Sequence, residues 1–495
     1  MSEMKRIFLT AVVGLAMTHP AVAQWNAEDE PADGDEKEWG SAAEFDRYRI
    51  GGYGEVLANF MSYGPWRNTN SGGSSDKGRN QISLPRFVLA GDLHFDRKKK
   101  WTLGVEIEFE AGGTGTAREI EWDDENGEYE TELEKGGEVA LEQLHITREI
   151  FPELGVRVGH MVLPVGQINA HHEPTNYLGT SRPEAETIFI PSTWHETGIE
   201  IFGKALDGIL SYQAFVVTGL NADGFRRSDW IKKGKQGLFE TDNFTSPAYV
   251  ARIDVAPVRG LRFGGSVYYC NNAGANADKV QKYSGFKTPV VVASADAQYK
   301  GYGVVARANF LYGRIGNADR LINEAHRTVA KQSGYTTDNF GKQVHSAAMS
   351  WGMEAGWDIS YAARGMRGKA LSALIPFVRY EWYDPCYEAA PGKAKFDQFE
   401  VSKWTAGINY YPLKELVIKA DYTWRRVGQG KYNNENEFSL CVGYSGWFFS
   451  DRSIKAYHAR RAEKKLSADK EVIAKMNQRL EMQQREIDAL KAKIQ

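Results

Sequence analysis

Residues 101–110 read Trp101-Thr102-Leu103-Gly104-Val105-Glu106-Ile107-Glu108-Phe109-Glu110. The odd positions are Trp, Leu, Val, Ile and Phe, and the even ones include Thr102, Glu106, Glu108 and Glu110. Side chains of a strand alternate between two faces, so this run makes one apolar face and one that carries charge deep in the strand. The pattern repeats. Leu416, Ile418, Ala420, Tyr422 and Trp424 alternate with Lys419, Asp421, Thr423 and Arg425, and Trp404, Ala406, Ile408 and Tyr410 alternate with Lys403, Thr405 and Asn409. Aromatics recur near strand ends, at Tyr48, Phe60, Trp382, Tyr383, Tyr410, Tyr411 and Trp447–Phe449. Buried charge on one face and aromatic girdles at the ends fit a sheet set between hydrocarbon and water. A one-sided soluble sheet shares the alternation, and connection lengths separate the two.

About sixteen strand-like runs lie between Arg47 and Phe449, and the links between them alternate in length. Asp96–Lys100, Phe151–Leu154, Pro257–Gly260 and Pro412–Glu415 are short. Met61–Ile82, Ala111–Gly137, Gly166–Thr193, Leu220–Pro247 and Gly313–Met349 are long, and Tyr361–Ser372 is intermediate. Tight turns on one rim, long loops on the other and an even strand count predict a sixteen-stranded antiparallel transmembrane β-barrel over 47–449, with both ends on the periplasmic rim. Within the second long loop, Arg118–Glu134 reads as a hairpin arm around Asn126-Gly127, a type I′ turn signal. Its acidic tip, Asp123-Asp124-Glu125, lacks the calcium-loop spacing because Trp122 stands at the first ligand position, and it reads as a solvated tip.

The bulk numbers agree. Charged residues are 25% of the 495 residues, the formal net charge is −3, aromatics are 12% and glycines number 50. That balance leaves no nucleic-acid footprint and suits an apolar outside with a polar lumen. No stretch reaches the roughly 18 apolar residues of a spanning helix. Residues 1–23 read as an export signal, with Lys5 and Arg6, an apolar core over Ile7–Met17 and Ala21-Val22-Ala23 before Gln24. Residues 24–46 are acidic and read as disordered. Cys270, Cys386 and Cys441 are far apart, odd in number and match neither a disulfide framework nor a metal spacing. After Phe449 the chain continues as a highly charged helix, 450–495, expected in the periplasm. Leu466, Ile473, Leu480, Ile487 and Ile494 recur every seven residues, and the companion seam is poorer, with Asp469, Met476, Gln483 and Leu490. The helix either stands alone or forms a short coiled coil that ties subunits together or grips a periplasmic partner.

Alternation places Arg49, Arg86, Arg157, Arg252, Arg262, Arg307, Arg379, Lys403 and Lys419 inward as candidate pore-lining cations. Arginine's planar fork fits oxyanions, so a row of them would guide anions. Inward acids share the lumen, namely Glu55, Asp92, Glu106, Glu108, Glu196, Glu200, Asp254, Asp296, Glu354, Asp358, Glu381 and Asp421. The plainer reading of any one arginine is an ion pair with a neighbouring strand. Gly166–Thr193 is the candidate constriction loop, with His171, His172, Glu173 and Asn176. Adjacent His171, His172 and Glu173 seldom meet one ion unaided, so they are expected to hydrogen-bond the loop to the wall, and no metal or cofactor is expected.

Arg157-Val158-Gly159-His160-Met161-Val162-Leu163-Pro164-Val165-Gly166 resembles the strand-and-exit motif of the phosphate-selective porin O/P family. Asn169-Ala170-His171-His172-Glu173-Pro174-Thr175-Asn176 and Ile190-Pro191-Ser192-Thr193-Trp194-His195-Glu196-Thr197-Gly198 resemble its Bacteroidetes-type members. The resemblance covers about 47–449 and is strongest over Glu138–Gly203. It implies a trimeric sixteen-stranded barrel in the outer membrane of a Gram-negative bacterium, an inward loop that narrows the pore, and small inorganic or organic anions as cargo. The C-terminal heptad tail is not part of that pattern.

Three classes of function follow. The first is passive diffusion of small, phosphate-like or other solutes. The second is an enzyme in a barrel, for which no G-x-S-x-G elbow is present and no catalytic residue stands out. The third is an anchor in outer-membrane lipid whose helix 450–495 binds an envelope partner.

Overall fold

The computed structural model describes residues 47–63, 78–111 except 97 and 99, 116–123, 128–135, 138–236, 242–277, 283–321, 344–361, 373–428 except 396, and 433–494. The expected export signal, the acidic segment and the turn at Asn126-Gly127 lie outside the described residues.

The chain begins with β1 (Tyr48–Met61), β2 (Arg79–His94) and β3 (Trp101–Glu110), then the arm β4 (Thr116–Asp123) and β5 (Glu128–Lys135). It continues with β6 (Glu138–Phe151), β7 (Leu154–Val162), β8 (His195–Ala205), β9 (Leu210–Val217), β10 (Ala248–Val258), β11 (Leu261–Cys270) and β12 (Val290–Gly301). The last strands are β13 (Val304–Ile315), β14 (Ala347–Trp357), β15 (Ala373–Glu388), β16 (Val401–Tyr411), β17 (Leu416–Val427) and β18 (Glu437–Ser450). All but β4 and β5 form one closed antiparallel barrel of sixteen strands. It closes between β1 and β18, where Val56 faces Val442 and Phe60 faces Phe438. Closure leaves no open strand edge, so every ladder group can be satisfied inside a bilayer.

The alternation that starts at Trp101 is realised in space. Trp101 is 44% exposed, whereas Glu106 and Glu108 are buried. On β17, Ile418, Tyr422 and Trp424 face outward and Lys419, Asp421, Thr423 and Arg425 are buried. Trp101, Phe151, Trp357, Tyr410 and Phe449 stand exposed along the short-turn rim, and Phe60, Tyr249, Tyr269 and Phe438 along the opposite one. A closed barrel with this apolar belt and two aromatic girdles is an outer-membrane barrel of the Gram-negative type. The arm pairs Ile120 with Thr131 and Trp122 with Tyr129, whereas a two-residue turn at Asn126-Gly127 would set Trp122 opposite Thr131.

Two expectations need correcting. Strict short–long alternation fails near the C-terminus, where the link 358–372 on the short-turn rim is longer than 428–436 on the other. The even strand count still puts both barrel ends on one rim. The lumen is also not polar throughout. Toward the long-loop rim the inward positions are Val217, Val250, Tyr268, Val292 and Leu311, and they pack on Trp194, Phe225, Trp230 and Ile231 from the loops. Loops tucked into the mouth exclude water, so the wall behind them is built as a protein core.

On the short-turn rim, the Asp96 carboxylate accepts backbone N–H groups of Lys98, Lys100 and Trp101 and shapes the turn into β3. The C-terminal helix, Asp451–Ile494, starts directly after β18. Its residues Leu466, Ile473, Leu480 and Ile487 are 45–60% exposed, an apolar seam left open in the single chain.

Candidate functional site

β7 ends in Leu163-Pro164-Val165-Gly166, and the chain then turns into the barrel rather than over its rim. Gly166 takes a positive φ of +77°, and a Cβ there would lie 2.6 Å from a Glu186 carboxylate oxygen. Asn169 ties the neck of the loop. Its Nδ2 donates to the Leu163 and Trp194 carbonyls at 2.6 and 3.0 Å, and its Oδ1 accepts the Trp194 N–H at 2.7 Å. Glu186 accepts the N–H groups of Gln167 and Ile168 at 2.6 and 2.8 Å. The segment thus has its own internal frame before it touches the wall.

A backbone taken inside a barrel must have its N–H and C=O groups satisfied there. The wall does this by sign. Cations meet carbonyls: Arg252 donates to Gly166 O, Arg86 to His172 O, Arg307 to Asn176 O, Lys419 to Tyr177 O, and Arg379 to Leu178 O and Ser181 O. Acids and amides meet N–H groups: Asn409 accepts from Gly179, Asp421 from Thr180 and Glu381 from Ala185. Charged partners make the stronger class of hydrogen bond. The Glu184 side chain completes the set, with Lys403 Nζ at 3.0 Å, Arg425 Nε at 3.1 Å and the Tyr383 hydroxyl at 2.9 Å.

Most of the inward cations also carry the expected ion pairs. Arg49 pairs with Asp92 at 2.5 Å, Arg157 with Glu200 at 2.6 Å, Arg252 with Asp254 and Asp296 at 2.7 and 2.9 Å, and Arg379 with Glu354 at 2.7 Å. Arg86 lies 3.3 Å from Glu55, Arg307 3.1 Å from Glu354, Lys403 3.3 Å from Glu381, and Arg262 3.8 Å from Asp254. Lys419 sits 3.8 Å from the centroid of the Tyr177 ring. Arg86, Arg252, Arg379, Lys403 and Lys419 are all deeply buried, while the side chains of Arg49, Arg157 and Arg262 keep 33%, 20% and 20% exposure. Arg86 Nη1, Arg262 Nε and Arg307 Nε have no hydrogen-bond partner among the described residues.

The loop residues singled out in the sequence separate. His172 is buried against Tyr53 and Glu142, with Nε2 2.6 Å from the Tyr53 hydroxyl and 3.2 Å from Glu142 Oε1. Glu173 accepts the Asn176 amide at 2.6 Å. His171 and Asn176 border a small gap shared with Gln167, Gln298 and Arg307. Strand alternation misses Glu142 because it is itself the bulge: β3 pairs Glu106 with Gln143 but Ile107 with Leu141, leaving Glu142 as the extra residue of β6. Asn169 and Glu186 were visible only as polar residues in an aperiodic segment. A second inserted piece, 220–236, lies in a stretch whose sequence shows only a long loop, yet it buries Phe225, Trp230 and Ile231 in the mouth.

No family model matches the chain. A protein of Aquifex aeolicus, itself uncharacterized, is 28% identical over 408 residues, which are 81% of this chain and 79% of that protein. Among solved structures, the chain is similar to OmpF of Salmonella typhi in complex with daunomycin (10% identity, 81% and 98% of the two chains, TM-score 0.49). It is similar also to the outer membrane channel DcaP of Acinetobacter baumannii (11%, 82% and 99%, TM-score 0.48) and to an anion-selective porin from Comamonas acidovorans (8%, 81% and 99%, TM-score 0.46).

Proposed function

We propose that the protein is an outer-membrane porin for passive diffusion of small solutes, with 166–193 as its constriction loop. The observation that carries this reading is the strapping of that loop across a charged lumen by residues from many strands, since a barrel serving only as an anchor has no need of it. A fixed loop inside a barrel sets which solutes fit between it and the wall. Small anions, phosphate-like ones included, are the favoured cargo class. Support comes from the partial exposure of the Arg157 and Arg262 side chains, which leaves cationic groups in reach of a passing solute. The balancing acids make this a modest preference rather than a filter for one ion. Reversal potentials across a salt gradient test it: Arg262→Glu shifts them toward cations, and unchanged values reject Arg262 as a selectivity residue.

The exposed seam of Asp451–Ile494 supports a second role beside conduction. We read the helix as a short parallel coiled coil that holds three copies of the chain together in the periplasm, in keeping with the trimer that the family resemblance implies.

A further inference from the structure

We propose that Glu106, Glu142 and His172 bind a divalent transition-metal cation of the Zn2+ class, which fastens the inward loop to the barrel wall. One ligand atom from each of the three lies within 4.8 Å of the others. They come from three separate elements: Glu106 from β3, Glu142 from the bulge in β6, and His172 from the loop. All three are buried, with Glu142 at 0% exposure.

Three observations point to a cation rather than to an ordinary acidic cluster. First, His172 Nδ1 lies 2.9 Å from the Asn169 carbonyl. That contact places the ring proton on Nδ1 and turns the Nε2 lone pair toward the carboxylates, the orientation that metal-bound histidines receive from their outer partners. Second, Glu142 Oε1 accepts no hydrogen bond among the described residues, although it is fully buried and only 3.2 Å from His172 Nε2. Donor atoms about 2.0–2.1 Å from a tetrahedral zinc stand roughly 3.3 Å apart, so this edge of the coordination shell is already formed. Third, Glu108 adds a further buried carboxylate on β3, and Arg86 already serves Glu55 and the His172 carbonyl. A divalent ion would balance this excess of buried negative charge. One imidazole and two carboxylates suit zinc better than calcium or magnesium, which take oxygen ligands. The Tyr53 hydroxyl hydrogen-bonds Nε2 at 2.6 Å and would give up that contact to the ion, with a water completing the shell.

This inference does not depend on conduction, and its test is one of binding. Full-length protein in detergent is stripped with a chelator, titrated with Zn2+ by calorimetry, and assayed for metal after gel filtration. The expected result is one Zn2+ per chain for wild type and for Glu173→Gln, with His172→Ala and Glu142→Gln both losing stoichiometric zinc while keeping the heat-modifiable migration of a folded barrel. X-ray absorption on the wild-type complex keeps the test open should those variants fail to fold. It is expected to show one imidazole with oxygen donors. Absence of stoichiometric zinc, zinc retained by both variants, or a shell with two or more imidazoles would overturn the site.

Discussion

Arg86, Arg252, Arg307 and Arg379 each do two things with one side chain, pairing with a wall carboxylate and holding a loop carbonyl. Arg379 illustrates it: its guanidinium reaches Glu354 on the neighbouring strand and the carbonyls of Leu178 and Ser181 on the loop. Removing one partner of a buried pair costs roughly 3–5 kcal/mol because the other charge is left uncompensated. Arg307 still meets Glu354, so Arg379→Ala is expected near the low end, about 3 kcal/mol. Urea unfolding in lipid micelles measures it, and a loss within about 0.5 kcal/mol of zero, the usual scale of a surface change, would show the pair to be idle. Asp96 works outside the membrane. Slight burial pushes its carboxyl up, but the N–H groups of Trp101, Lys100 and Lys98 outweigh that and hold it below the ordinary aspartate value of 3.8. A depressed folded-state value means that the carboxylate's contribution is complete above pH 3.8 and is lost as pH falls through the lower folded value. Wild type and Asp96→Asn should therefore differ in thermal midpoint above pH 4 and converge in stronger acid. A gap that stays constant with pH would contradict this.

At the scale of elements, strands were far more legible than loops. Period-two runs such as Trp101–Glu110 announce both faces, because every second side chain must meet the same medium. The reading slips where the backbone adds a residue, as at Glu142, and where loops convert a wet lumen wall into a core, as behind Trp230. The inward loop was legible as a long aperiodic stretch, and six of the cations that alternation places on the lumen wall, Arg86, Arg252, Arg307, Arg379, Lys403 and Lys419, reach it. What local sequence could not carry is the pairing of each cation with one carbonyl, since partners such as Arg379 and Leu178 are 201 positions apart. The C-terminal helix shows the reverse case. Its seven-residue repeat was plain, and residues 466, 473, 480 and 487 do fall in one seam, but a seam names no partner by itself. Deleting 451–495 is predicted to reduce the protein's mass in detergent, by light scattering, to about one third while each barrel stays folded. An undiminished mass would remove the helix from assembly.

On the scale of the whole molecule, a closed sheet supplies the outer surface, and two inserted segments decide what is left of the inside. Hydrocarbon outside and charge inside follow from one alternation, so the fold and the proposed transport role stand on the same physical fact. In the proposed porin the loop would set the specificity, held by wall charges that a simple anchor would not require. Single-channel recording in planar bilayers tests this most directly. Purified wild type should give discrete, ohmic steps, and excising 170–189 to leave a short bridge should enlarge them several-fold. Folded barrels that pass no current in either form would contradict the account.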